Sequence, residues 1–149
     1  MSENMLEKII VISGKPGLFR MLSQTRTGVI ATSLIDGKKT VTNPREQINV
    51  LTEIQIYGIK GEVSLEEVFH KIFVYEKGES TRIIPKAKKD ELEAYFFEVF
   101  QDYDEDRVYA SDIKKIIQWY NLLLSKGILK FEAEVSAENS AKDLPKESV

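Results

Sequence analysis

Ile9-Ile10-Val11-Ile12, followed by Ser13-Gly14-Lys15-Pro16-Gly17, is the stretch from which the fold reads outward. Four β-branched residues in a row favour a strand, and the glycines and proline that stop them mark a turn. Leu18 to Thr25 and Gly28 to Ile35 continue as strands, with Val29, Ala31, Ser33 and Ile35 on one face because strand side chains alternate. Asp36-Gly37 signals a two-residue hairpin, since a type I′ turn needs positive φ at both central positions, and Lys38 to Thr42 is the return strand. Asn43-Pro44-Arg45-Glu46 has the pattern of a short helix, with Asn43 as cap, Pro44 first in the helix and Glu46 third, running to about Leu51. Glu53 to Tyr57 alternates again, with Ile54 and Ile56 on one side. Five short strands with one helical turn before the last predict an SH3-like small β-barrel over residues 1–60. The alternative is an open antiparallel sheet covered by the later helices.

Beyond Gly58 and Gly61 the period changes. Ser64-Leu65-Glu66-Glu67 is a capping box, and Leu65, Val68, Phe69 and Ile72 follow at helical spacing to about Tyr75. Lys77 to Pro85 is a connector with Gly78 and Pro85 as breakers. A second helix, about Lys88 to Gln101, carries Leu92, Tyr95, Phe96, Val99 and Phe100. A third, about Ser111 to Ser125, carries Ile113, Ile116, Ile117, Tyr120, Leu123 and Leu124 and stops at Gly127. Trp119 and Leu122 widen its apolar face, which predicts cover on more than one side. The chain therefore reads as α+β: the barrel, a C-terminal α-helical module of about three helices over 61–131, and an acidic tail, 132–149, whose composition predicts disorder.

The 149 residues include no cysteine and a single histidine, His70. That excludes disulfides, a thiolate nucleophile, cysteine-ligated metal and any site needing two imidazoles from one chain. No apolar run approaches the ~18 residues of a membrane span, and no secretion signal opens the chain, so it reads as cytoplasmic with no membrane partner. The net charge of −3 is uneven: residues 1–60 carry 8 basic and 5 acidic side chains, 61–131 carry 11 and 14, and 132–149 carry 2 and 5.

Asp102, Asp104 and Asp106 stand at positions 1, 3 and 5 of a calcium loop, but Arg107 and Ile113 fall where that loop needs its turn glycine and its bidentate glutamate. Gly14-Lys15-Pro16-Gly17 has the outline of a KH-type backbone clamp, yet strands rather than helices flank it, which predicts an ordinary turn with Lys15 exposed. His70 has Glu66 and Glu67 at helical spacing as carboxylate partners, but no nucleophile signature accompanies it. With only Phe19 and Tyr57 as aromatics, residues 1–60 lack the clustered rings of a proline-motif groove, a methyl-lysine cage or a base-stacking platform. No catalytic, cofactor or metal site is assigned. The remaining partner-binding candidates are Lys15, Arg20, Arg26, Lys38, Lys39 and Arg45; a hairpin tip with Lys38 and Lys39 near the Lys15 turn or Arg45 would make a small positive patch. Lys86, Lys88 and Lys89 form a second basic group, poorly placed for the dipole of the helix they precede.

The run Ser13 to Thr25 (SGKPGLFRMLSQT) together with Ser111 to Leu123 (SDIKKIIQWYNLL) resembles a small cytoplasmic family of Bacteroidetes proteins, a domain of unknown function followed by a helical domain. The resemblance covers about residues 6 to 131 and implies the same two-part division, with no catalytic residue, ligand or partner carried over. Taken together, the sequence predicts a non-enzymatic adaptor that binds a protein partner through the barrel or the helical face. The alternative is an RNA- or ribosome-associated factor using the basic face of the barrel.

Overall fold

The computed structural model describes residues 6–15, 17–43, 45–129 and 131. Seven strands precede three helices: β1 (Ile9–Ile12), β2 (Phe19–Thr25), β3 (Gly28–Ser33), β4 (Lys39–Val41), β5 (Ile48–Val50), β6 (Gln55–Gly58), β7 (Gly61–Ser64), α1 (Leu65–Tyr75), α2 (Lys89–Val99) and α3 (Ala110–Ser125). The fold is α+β. An antiparallel five-stranded sheet has the order β4-β3-β2-β1-β5, and β6 and β7 form a separate hairpin.

The predicted closed barrel is replaced by an open sheet, because β4 and β5 each have a single neighbour among the described residues. The fifth strand also differs. It is Ile48–Val50, which pairs with β1, whereas part of the expected strand at Glu53 to Tyr57 turns away to pair with β7. A 3-10 turn over Leu51–Glu53 separates the two. The helix predicted from Asn43 to Leu51 does not form, although its capping bonds do: Arg45 N–H donates to Asn43 Oδ1 at 2.8 Å and Asn43 N–H to Glu46 Oε1 at 3.1 Å. Those local bonds satisfy a turn, and pairing with β1 takes the residues that would have propagated the helix. Pro44 and the tail 132–149 lie outside the described residues.

Alternation explains how β1 serves two cores. Ile9 joins a large core with Leu18, Leu34 and Leu51, α1 (Leu65, Val68, Phe69, Ile72), α2 (Leu92, Tyr95, Phe96) and α3 (Ile113, Ile116, Ile117, Tyr120, Leu123). Ile10 and Ile12, on the other face, build a second core with Phe19, Val29 and Ala31. A bulge between Met21 and Ser23 on β2 strengthens the local twist of the sheet.

The three helices follow their caps. Ser64 Oγ accepts the Glu67 N–H at 3.2 Å to start α1. Trp119 and Leu122 of α3 are half-buried and both pack on the large core. The connector after α1 is held by Glu76, a carboxylate only 7% exposed. It accepts from the Arg82 backbone N–H at 2.9 Å, from Arg82 Nε at 3.2 Å and from the Tyr95 hydroxyl at 2.5 Å. The Tyr120 hydroxyl donates to the Glu79 carbonyl, and Asn121 exchanges two hydrogen bonds with Thr81.

A Cβ on Gly28 would lie 2.1 Å from the Thr42 carbonyl oxygen, where Val29 N–H also donates to the buried Thr42 hydroxyl. Gly28→Ala is expected to destabilise by about 1–3 kcal/mol, the range for overpacking, measured by urea unfolding. Burial, and for Tyr95 also the bond to Glu76, pushes the Tyr95 and Tyr120 phenols above the usual range. Such a group supports the fold fully below the unfolded-state value of about 10 and loses that support as pH rises through its native value. Stability should therefore fall above about pH 10, by up to ~1.4 kcal/mol per pH unit per tyrosine. In an absorbance titration these two phenols should ionise together with unfolding.

Candidate binding site

The β1–β2 turn places Lys15. Gly14 and Gly17 both have positive φ, at 84° and 79°, and Lys15 N–H donates to the Ile12 carbonyl at 3.0 Å. The β3–β4 connection arrives from the other side. It is longer than the two-residue hairpin that Asp36-Gly37 predicts: Ser33 N–H donates to the Lys38 carbonyl, so residues 34–37 form the loop, and Gly37 alone among them has positive φ. Leu34 continues the pairing with β2, donating its N–H to the Leu18 carbonyl at 2.9 Å, and its side chain enters the large core, so it takes no partner on β4.

Ile35, next along, brings the two turns together. Its side chain rests so close to Gly17 that a Cβ there would lie 2.4 Å from Ile35 Cδ1. Between the turns is an open cleft of about 300 Å³, lined by Lys15, Phe19, Ser33, Ile35, Asp36, Lys38, Lys39 and Thr40. Its chemistry is an apolar patch of Phe19 and Ile35 bordered by Lys15 and Lys38, with Lys39 on the adjoining edge strand. Lys15 Nζ stands 3.6 Å from Glu46 Oε2, a partly exposed pair. Lys38 and Lys39 make no ion pair among the described residues. Asp36 is engaged locally, accepting the Lys38 N–H at 2.9 Å.

Lys15 and Lys38 therefore converge beside Phe19, Lys39 lines the cleft from a row whose side chains leave the sheet on the other face, and the remaining three do not line it. Arg20 shares a register row with Thr32 and Lys39, so its side chain leaves the sheet on the face opposite Phe19. Arg26 follows the far end of β2, about 20 Å away at the usual rise per residue. Arg45 precedes Glu46 in the turn before β5 and does not line the cleft. Sequence reasoning missed the cleft roles of Ile35, Ser33 and Thr40. The signal available for Ile35 was a large apolar residue directly before Asp36-Gly37, and it is indeed 54% exposed.

The other candidates are organised differently. His70 lines an open pocket with Ser64, Glu66, Glu67 and Phe131, but its ring stacks on Phe131 at 4.8 Å, and it makes no hydrogen bond among the described residues. Asp104 caps its own turn, accepting the Asp106 N–H, and lies 3.8 Å from Arg107 Nε; Asp102 lies 3.9 Å from Lys60 Nζ. No group of three or more His, Asp or Glu among the described residues is arranged to hold a metal ion. Tyr57, the second aromatic of the N-terminal part, sits under the Arg107 guanidinium at 5.2 Å, in a groove with Ile56 and Trp119. Lys88 precedes α2 and donates its N–H to Glu91 Oε1. No helix of the described residues is long and apolar enough to cross a membrane.

Comparison with known proteins places the fold. Residues 6–51 match the model of a domain of unknown function, DUF5606, and residues 54–123 match that of a second, DUF6852. A solution NMR structure of a Bacteroides vulgatus protein, a structural genomics target, is 40% identical, with a TM-score of 0.72, and the match covers 85% of this chain and 91% of that one. The chain belongs to this Bacteroidetes family. No curated protein matches. The DUF5606 match ends at Leu51 and the DUF6852 match begins at Ile54, so the 3-10 turn lies at their junction.

Because Lys38 and Lys39 are exposed and make no ion pair among the described residues, Lys38→Glu with Lys39→Glu should change thermal-unfolding stability by no more than about 0.5 kcal/mol per site. That makes the pair a clean probe of binding.

Proposed function

We propose that this family member is a non-enzymatic, cytoplasmic adaptor whose N-terminal sheet binds an acidic segment of a protein partner in the lysine-bordered cleft. The observation that carries this reading is the convergence of Lys15 and Lys38 around Phe19 and Ile35, with Lys39 beside them on the edge strand that bounds the cleft. An apolar patch ringed by cations suits side chains of an acidic peptide, with the rim supplying orientation and on-rate. The absence of an oriented base at His70 among the described residues supports a binding role over acid–base chemistry. The strand order β5-β1-β2-β3-β4 supports reading the sheet as an SH3-like module left open at its two edges.

The test uses two immobilised probes, poly-glutamate and poly-uridine RNA, each at 50 and 200 mM salt. The expected result is retention on poly-glutamate that the Lys38→Glu, Lys39→Glu protein loses. Retention on the RNA alone, collapsing between the two salt concentrations, would instead support an RNA-associated factor, since phosphate contacts release counterions. Retention on neither would contradict both readings.

A further inference from the structure

The lysine cleft runs out at β4, an edge strand with β3 as its one neighbour among the described residues. The register fixes which of its backbone groups are free. Ser33 N–H donates to the Lys38 carbonyl and Thr42 N–H to the Val29 carbonyl. Hydrogen-bonded positions alternate in an antiparallel ladder, so Thr40, opposite Ala31, faces β3, while Lys39 and Val41 direct their N–H and C=O groups outward. Lys39, Thr40 and Val41 thus offer two donors and two acceptors at the spacing of a β-strand, with no neighbour among the described residues.

Side chains at this edge divide by face. Lys38 lies opposite Ser33 on the side of Phe19 and Lys15, whereas Lys39 stands in the row with Thr32 and Arg20 on the other side. A strand laid along β4 would therefore meet cations on both faces at one end. At the other end stands Val41, 64% exposed beside Ile30. Lysines on an edge strand commonly discourage pairing with an indiscriminate partner. They also discriminate, because an added strand carrying successive carboxylates would neutralise them where a neutral or basic one would not.

We infer that the acidic segment binds as a sixth strand on β4, pairing its backbone with Lys39 and Val41, its carboxylates beside Lys38 and Lys39 and an apolar residue beside Val41. This rests on the cleft reading above and adds its mode, β-strand addition, in which main-chain bonds give affinity and alternate side chains give specificity. Complementary charge selects this occupant over a second copy of the chain, whose β4 would bring its own Lys38 and Lys39 to the same edge with no carboxylate opposite them.

Val41→Pro separates the mode from the charge requirement. It removes an outward N–H while leaving every bond to β3, and proline is tolerated on edge strands. The probe is the synthetic hexapeptide Val-Thr-Val-Glu-Glu-Glu, titrated into the full chain and followed by calorimetry and by amide hydrogen exchange. The inference predicts binding that Lys38→Glu with Lys39→Glu abolishes, that Val41→Pro weakens by about tenfold, and that slows exchange of the Lys39 and Val41 amides. Lysine-dependent binding that leaves those amides and the proline variant unaffected would overturn strand addition while sparing the cleft. Absence of lysine-dependent binding would overturn both. Dimerisation of the free protein that Val41→Pro abolishes would assign the edge to a second copy and overturn the inference. Should Val41→Pro fail to fold, amide exchange in the unsubstituted protein decides alone.

Discussion

Strand β1 has no solvent-facing side. Ile9 and Val11 pack with the core shared by the helices, and Ile10 and Ile12 enter the core of the sheet. A four-residue strand with both faces covered reads as an unbroken β-branched run rather than an alternating one. This double burial sets the rest of the arrangement. With Leu18 and Leu34 at the ends of β2 and β3, it joins sheet and helices, and it anchors the turn that carries Lys15 at the end of a strand paired on both sides.

The cleft depends on that constraint at one remove. The β1–β2 turn is anchored by β1, and the β3–β4 loop is anchored by Leu34 in the large core; Ile35 over Gly17 closes the gap between them. Lys38 and Lys39 follow Ile35 by three and four residues, so the loop that seats Leu34 also aims the two lysines. On the opposite side of the large core, the buried Glu76 plays a comparable part. Its three hydrogen bonds tie the connector between α1 and α2 to Arg82 and Tyr95, keeping the helical layer against which β1 packs.

Local signals in the sequence were legible, and long-range ones were not. The boundaries of α1, α2 and α3 fall within about two residues of those read from caps and apolar spacing, because capping involves residues three positions apart. Asn43 and Glu46 show the limit of the same signal: their capping bonds formed, yet pairing of Ile48–Val50 with β1 decided the segment. Asp36-Gly37 correctly marked a hairpin, but Leu34 drew the loop out to four residues for the sake of burial. Closure of the sheet depends on whether its outermost strands meet, which no local pattern specifies. The six basic residues were equally visible in the sequence; only register and turn packing set Lys15 and Lys38 beside Phe19, put Lys39 and Arg20 on the other face, and leave Arg26 and Arg45 away from the cleft.

Sheet and helices, matched by two different family models, therefore share a core across the junction between them. The most direct test of this coupling is native-state hydrogen exchange at low denaturant. If double burial of β1 governs the fold, the amides of Ile10 and Ile12 in β1 and of Ile116 and Ile117 in α3 will open with the same free energy, that of global unfolding. Exchange of the β1 amides through a separate, lower-energy opening while α3 stays protected would contradict it.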